Sequence, residues 1–169
     1  RDRQITTKRN DMTPAQTATL KAFILADGTL APKASGPGTD YQFISDALNA
    51  PKNPVQKAWL RNVPPVDLDD APDYTAFDAI SAGKRDSWAF LLARPRDFTR
   101  NKVRKWVTDV WGNATAGSNS EAILQAGLRN ATIAEVAIGG ATKTTGTVSA
   151  LDLSWEGLLQ AGDIGVILA

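Results

Sequence analysis

The chain has 169 residues, of which 43% are hydrophobic and 22% are charged, so it can bury a core without disulfides or metal ions. Its net charge of +1 argues against a strongly basic nucleic-acid-binding protein of the usual kind. Cysteine and histidine are both absent, which excludes thiolate nucleophiles, zinc–sulfur sites, Ser-His-Asp triads and HExxH peptidases. We therefore expect a protein that is not an enzyme and that binds no cofactor.

Residues 1–11 are polar and lack the apolar segment of a secretory signal, so they are interpreted as an N-terminal arm or an added extension. The first predicted helix begins at Thr13, which forms a capping box with Gln16, and it ends at Gly28. Its apolar stripe consists of Leu20, Phe23 and Ile24. No apolar run reaches the length of about 18 residues that a membrane-spanning helix needs, so no membrane contact is expected.

Two more helices are predicted before the consecutive prolines at positions 64 and 65. Asp40 caps a helix over 40–49, whose inward side chains are Phe43, Ile44, Ala47 and Leu48. Asn53 caps a helix over 53–62, whose buried side chains are Val55, Ala58 and Trp59. The prolines then break the helix, so residues 63–74 are predicted to form a loop.

This predicted loop carries an acidic cluster, formed by Asp67, Asp69, Asp70 and Asp73. A calcium-binding loop would need a glycine turn and a distal bidentate glutamate at fixed spacing, and the segment has neither. The aspartates are therefore interpreted as helix caps or as partners of a basic surface, which a neighbouring subunit could provide.

Residues 75–130 are predicted to form four helices, over 75–83, 84–95, 99–112 and 118–130. The first of them is closed by Gly83, and the last begins with a capping box between Ser118 and Glu121. The buried faces of the second and fourth helices are formed by Trp88, Leu91, Leu92, Ile123, Leu124 and Leu128.

The helix over 99–112 combines an apolar stripe with many basic residues. The stripe consists of Val103, Trp106, Val107 and Val110. The basic side chains of the surrounding segment lie off that stripe and are Arg94, Arg96, Arg100, Lys102, Arg104 and Lys105. Because the tryptophan spacing matches a core stripe, we interpret the basic residues as a solvated face that meets an acidic protein surface, with DNA backbone as the alternative partner.

From Ala131 onward the sequence is rich in β-branched residues and glycine. A β-hairpin is predicted, with Ile133, Val136 and Ile138 in its first strand and Leu151, Leu153 and Trp155 in its second. The segment "GGATKTTG" fits the turn of this hairpin better than a phosphate-binding loop, because it lacks the GxxxxGK[ST] pattern. An apolar tail follows and is predicted to dock on a partner through Ile164, Val166, Ile167 and Leu168.

These elements predict an α+β protein that is mainly α. The expected architecture is a helical bundle of about five to seven helices, followed by a C-terminal β-hairpin and an apolar tail. The domain organisation predicted from it is an arm at 1–11, a helical domain at 12–130 and a β-rich end with the docking tail at 131–169.

Four segments together resemble a family of small tailed-bacteriophage virion proteins: "MTPAQTATLKAFILADGTL", "ISDALNAPKNPVQKAWLRNVP", "NKVRKWVTDVWG" and "LDLSWEGLLQAGDI". The resemblance covers residues 12 to about 165 and consists of helix starts and aromatic positions. The segment "ATIAEVAIG" is more apolar than its counterpart in that family. The resemblance implies a phage gene product and transfers no catalytic residues.

The resemblance and the missing catalytic chemistry favour a structural part of the virion, assembled in the host cytoplasm. The leading hypothesis is a head–tail connector (adaptor) subunit that forms a homo-oligomeric ring at the portal vertex. Its expected partners are portal and tail components, with packaged DNA as a further candidate. The alternatives are a capsid-decorating or tail-associated protein, a DNA-binding accessory protein that uses residues 94–105, and last a carboxylate-based enzyme.

Overall fold

The computed structural model describes residues 12–169, so the predicted arm at 1–11 lies outside the described residues. About 53% of the described residues are helical, and the fold is mixed α/β with a four-stranded sheet. The α-helices are α1 (Pro14–Ala26), α2 (Ala31–Ala34), α3 (Tyr41–Asn49), α4 (Pro65–Asp69), α5 (Ala82–Leu92), α6 (Asn101–Trp111), α7 (Asn119–Ala126), α8 (Ile133–Ile138) and α9 (Ala161–Leu168). The strands are β1 (Lys57–Trp59), β2 (Leu128–Asn130), β3 (Gly140–Thr145) and β4 (Val148–Leu153), and 3₁₀ helices span Gly36–Gly38 and Tyr74–Ala79.

The chain divides into two compact units, each with its own apolar core. The first unit comprises residues 12–55, 131–140 and 153–169, and the second comprises 56–130 and 141–152. The chain therefore passes between the units four times. Each unit contains segments from before and from after residue 130, where the sequence predicted the end of a helical domain.

The first unit is built from α1, α2, α3, α8 and α9. Thr13 and Gln16 form the predicted capping box of α1, and the carboxylate of Asp40 accepts a hydrogen bond from the Phe43 backbone N–H at the start of α3. The prediction that Phe43 points inward is wrong, because its side chain is 40% exposed. The core side chains from these helices and the preceding loops include Leu20, Ile24, Leu30, Ile44, Leu48, Trp155 and Leu159.

The predicted docking tail is the helix α9, which packs against α3 and α1 of the same unit. Ile164 and Ile167 are buried in the core of the first unit, and Leu168 is half-buried. Lys21 Nζ donates to the Leu168 carbonyl at 2.9 Å, which fixes the last turn. Only Val166 of the four predicted docking side chains is exposed, so the prediction of a free apolar tail is wrong.

Residues 133–138 form α8 and not the predicted first strand of a hairpin. Thr132 and Glu135 close a capping box, in which Glu135 Oε2 accepts from the Thr132 backbone N–H at 2.9 Å. Glu135 is buried and its other carboxylate oxygen accepts from the Gly157 backbone N–H at 3.3 Å. The capping box satisfies backbone N–H groups at the start of α8. The β-branched composition of the segment had instead indicated a strand.

The second unit contains the sheet, whose strand order is β2-β1-β4-β3. Strand β1 pairs antiparallel with β2 and parallel with β4, where Ala58 lies opposite Leu151. The helix predicted over 53–62 is therefore wrong: a cis peptide bond joins Asn53 to Pro54, and the chain then extends into β1. Ala58 and Trp59 are buried as predicted, but Val55 is exposed.

The proline-rich segment predicted as a loop contains the short helix α4. Pro64 and Pro65 occupy its N-cap and first position, where a missing N–H costs nothing, and Leu68 is buried. The 3₁₀ helix Tyr74–Ala79 follows, and Gly83 lies inside α5 instead of ending a helix.

The predicted C-terminal hairpin exists, but β3 and β4 form it, and Leu128, predicted in a helix, lies in β2. The turn of this hairpin contains Gly146, at φ +58°, and Thr147, which contacts the rest of the second unit. The Thr147 backbone N–H donates to the Ala114 carbonyl at 3.0 Å, and its hydroxyl donates to Glu121 Oε1 at 2.7 Å. The turn is thus held by its own unit.

The hydrogen bond between Thr147 and Glu121 leads to a prediction about the pKa of Glu121. The Thr147 hydroxyl, and after it the Gly117 backbone N–H, lower the pKa of Glu121, because both donate hydrogen bonds to its ionised form. We expect Thr147→Val to raise the pKa of Glu121 towards its ordinary value, measured by NMR titration of the side-chain carboxyl carbon. The lowered pKa of Asp73, which depends on Thr75, provides the internal control and should not move.

Candidate interaction surface

Helix α6 spans Asn101–Trp111 and is closed by Gly112 as predicted, but it begins two residues after the predicted start at 99, and its buried face is rotated relative to the predicted stripe. Val107 and Val110 are buried, whereas Trp106 is only partly buried. The buried face also includes Arg104, whose side chain is 2% exposed. The prediction that Arg104 lies on the solvated face is therefore wrong.

Arg104 acts as a buried connector within the second unit. Its Nη1 donates to the carbonyls of Phe98 at 2.5 Å and Thr99 at 2.7 Å, and its Nε donates to Thr145 Oγ1 on β3 at 3.0 Å. The guanidinium also lies 4.8 Å from the ring centroid of Trp59. Burial lowers the pKa of Arg104, because removal from water disfavours the charged form.

Arg96 is also buried, at 6% exposure, so it too is not on a solvated face. Its Nε donates to the Leu91 carbonyl at 2.6 Å, and its Nη2 donates to the Phe90 carbonyl. These bonds satisfy carbonyl groups at the C-terminal end of α5, where a cation is favourable. Burial, and less strongly the charge of Arg94, lowers the pKa of Arg96.

The four other basic residues of the predicted segment are exposed. Arg100 is paired with Asp97 at 3.0 Å and Lys105 with Asp109 at 2.6 Å. Arg94 and Lys102 have no ion-pair partner within residues 12–169. These two cations are the basic charges of the segment that remain available to a partner.

An exposed aromatic pair lies beside these cations. Phe90 is 58% exposed, and its ring centroid lies 5.5 Å from that of the partly buried Trp106. The Arg96 guanidinium lies within 5.4 Å of both centroids. Lys102 is one helical turn before Trp106, so it borders the same area. We call Phe90, Trp106, Arg94 and Lys102 the basic–aromatic surface, and the buried Arg96 supports its two rings.

Phe90 is the residue of this surface that the sequence analysis missed. It lies between Trp88 and Leu91, which form the buried face of α5, and points away from that face. An aromatic side chain outside a helix's apolar stripe, four residues before an arginine, was the available signal.

The acidic cluster is exposed, and two of its members have structural roles. Asp69 accepts a hydrogen bond from the Tyr74 hydroxyl, which accepts one from Trp88 Nε1 at 3.0 Å. Burial, and next the bond to Asp69, raise the pKa of Tyr74. Asp73 caps the 3₁₀ helix by accepting from the Thr75 backbone N–H at 2.9 Å, which lowers the pKa of Asp73.

Asp67 and Asp70 complete the cluster and have no ion-pair partner in the described part of the chain. They lie three residues apart at α4 and are both exposed, so they share one side of that helix. We call them the acidic surface. Within residues 12–169, no group of three acidic side chains is arranged to hold a metal ion.

Comparison of the chain with protein-family models, with curated protein sequences and with solved structures gives no match. Over residues 12–169 no helix combines the length and the apolar character needed to cross a membrane.

Proposed function

We propose that this protein is a structural subunit of a bacteriophage virion, and specifically a head–tail connector (adaptor) that forms a ring with copies of itself at the portal vertex. The motif resemblance supports the phage assignment. The observation that supports assembly is the presence, on one unit, of exposed and unpaired charges of both signs. The acidic surface of one copy is complementary to the basic–aromatic surface of the next, which is the arrangement of a head-to-tail ring.

The exposed aromatic pair strengthens this proposal. Aromatic and arginine side chains are enriched at protein interfaces, and Phe90 and Trp106 with the exposed Arg94 provide both. A capsid-decorating or tail-associated subunit would use the same surfaces and is the alternative within the structural class.

A DNA-binding accessory protein is the second candidate function. The same aromatic pair beside Arg94 and Lys102 is an arrangement on which nucleic-acid bases could stack while the cations contact phosphates. Salt-dependent retention of DNA by the purified protein, with loss of retention in Lys102→Glu, would favour this function over self-assembly.

The virion assignment is tested by mass spectrometry and cryo-electron microscopy of purified phage particles. We expect the chain in intact particles, in multiple copies, with density at the portal vertex. Detection in infected cells but never in particles would contradict the proposal. Density on the capsid shell or along the tail would instead select the alternative structural role.

Self-assembly is tested by charge reversal at the basic–aromatic surface. We expect Lys102→Glu to weaken association of the full chain by about tenfold or more, because it places a carboxylate opposite Asp67 and Asp70. The measurement is light scattering of size-fractionated protein across a concentration series. Lys84→Glu is the matched control, since Lys84 is exposed on α5 outside this surface and carries the same charge change.

A compensating substitution makes the test specific. Adding Asp67→Lys to Lys102→Glu reverses both surfaces of the same chain and should restore association. Equal weakening by Lys84→Glu, or failure of the double variant to recover while it remains folded, would contradict the proposed pairing. Arg104→Glu is unsuitable for this purpose, because Arg104 is buried and its reversal would unfold the second unit.

A further inference from the structure

A polar cleft lies in the second unit between the N-terminal end of α6 and strand β3. Its lining includes three threonines, Asn101, the cations Arg104 and Lys143, and the carboxylate of Asp152. Asp152 already forms an ion pair with Arg61 at 3.7 Å. The lining therefore offers more positive charge and more hydrogen-bond donors than its own residues use.

Arg104 is the unusual member of this lining, because it is a buried cation without a carboxylate in contact. Its hydrogen bonds go to two backbone carbonyls and to a threonine hydroxyl, which carry no charge. Its second terminal nitrogen, Nη2, has no hydrogen-bond partner among residues 12–169, and the guanidinium has no ion pair there. The charges of Asp152 and Asp97 oppose the lowering of the Arg104 pKa but do not contact the guanidinium, and Nη2 is not fully buried, so it can donate to an anion that enters the cleft.

The start of α6 adds donors to the same cleft. The helix has no side-chain cap, and the backbone N–H groups of Asn101 and Lys102 have no hydrogen-bond partner within the described residues. Free N–H groups at a helix N-terminus favour negative charge. Asn101 lines the same cleft as Arg104, whose Nη2 has no hydrogen-bond partner in the described residues, and as Lys143 on β3.

We propose that this cleft binds a tetrahedral oxyanion of the phosphate class, held by Arg104 Nη2, the first N–H groups of α6 and Lys143. The phosphate could be a free ion or a phosphate group of a nucleic-acid backbone. The site does not depend on the proposed assembly, because all its residues belong to the second unit of one chain.

The test compares thermal unfolding of the full chain in sodium phosphate and in sodium chloride at equal ionic strength. We expect the unfolding midpoint to rise with phosphate and to saturate with a dissociation constant on the order of 1 mM. Because Arg104 also supports the fold, the diagnostic variant is Lys143→Met, whose side chain is exposed. It should weaken phosphate binding about fivefold to tenfold. Thr142→Val, on the opposite face of β3, and Lys84→Met, outside the cleft, should bind as the natural chain does.

The source of the phosphate is resolved by a second arm with a short single-stranded oligonucleotide. Competition between oligonucleotide and inorganic phosphate, lost in Lys143→Met, supports the site with a backbone phosphate as its ligand. Phosphate binding without competition supports the site with the free ion. No phosphate-specific stabilisation of the natural chain, or equal binding by Lys143→Met and Lys84→Met, overturns the proposal.

Discussion

Gly146→Ala is expected to lower the free energy of unfolding by about 3 kcal/mol, which combines a left-handed backbone penalty with overpacking. Gly146 has φ +58°, and a Cβ built there would lie 2.2 Å from the Ala114 carbonyl oxygen. That oxygen is backbone and also accepts from the Thr147 N–H, so it cannot move without releasing the hairpin turn.

Gly117→Ala separates the two causes. Gly117 also has a left-handed backbone, at φ +76°, but a Cβ there meets nothing within 4 Å. It should therefore cost only the backbone penalty, about 1 kcal/mol. Urea unfolding followed by circular dichroism measures both variants. Equal losses of unfolding free energy in the two variants would show that the contact of the added Cβ with Ala114 costs nothing.

Arg104→Met is expected to lower the free energy of unfolding by about 3 kcal/mol or more. The substitution removes the hydrogen-bond donors of the Phe98 and Thr99 carbonyls and the stacking on Trp59, while those acceptors remain buried. Relief of a buried charge acts in the opposite direction. The loss should dominate, because methionine cannot satisfy the two carbonyls.

Lys105→Met is the matched control on the same helix. Lys105 is exposed and forms one surface ion pair with Asp109, which should be worth about 0.5 kcal/mol. Calorimetric unfolding of the two variants gives the comparison. If Arg104→Met proves as stable as Lys105→Met, the buried guanidinium is not a structural connector.

The parts of the fold that the sequence predicts best are local. The caps at Thr13, Asp40 and Ser118 each depend on a hydrogen bond within three residues, and all three are present. Strand β1 was missed because its partners lie far along the chain, in β2 and β4, and long-range pairing overrides local propensity. At α8, the capping box between Thr132 and Glu135 was the correct signal, and the β-branched residues were misleading.

The sequence identified most of the charged residues of the candidate surface, but it did not show which of them are exposed. Charge alone placed Arg96 and Arg104 outside, although carbonyl groups can satisfy a guanidinium that is folded into the core. On α6, Arg104 is buried together with Val107 and Val110, and Trp106 lies at the edge of this face beside Phe90. The acidic cluster was identified from the sequence as a whole, and the structure separates its members: Asp69 and Asp73 accept local hydrogen bonds, whereas Asp67 and Asp70 have no ion-pair partner in the described residues.

The interleaving of the two units determines the order in which they can be completed during synthesis. The second unit has all its segments once residue 152 has been made. The first unit, although its α1 to α3 are synthesised earlier, lacks Ile164 and Ile167 until α9 follows. Apolar side chains such as Leu20 and Ile44 therefore lack part of their core until α9 has been synthesised, when the second unit can already fold. This order is the reverse of the usual N-terminal-first folding.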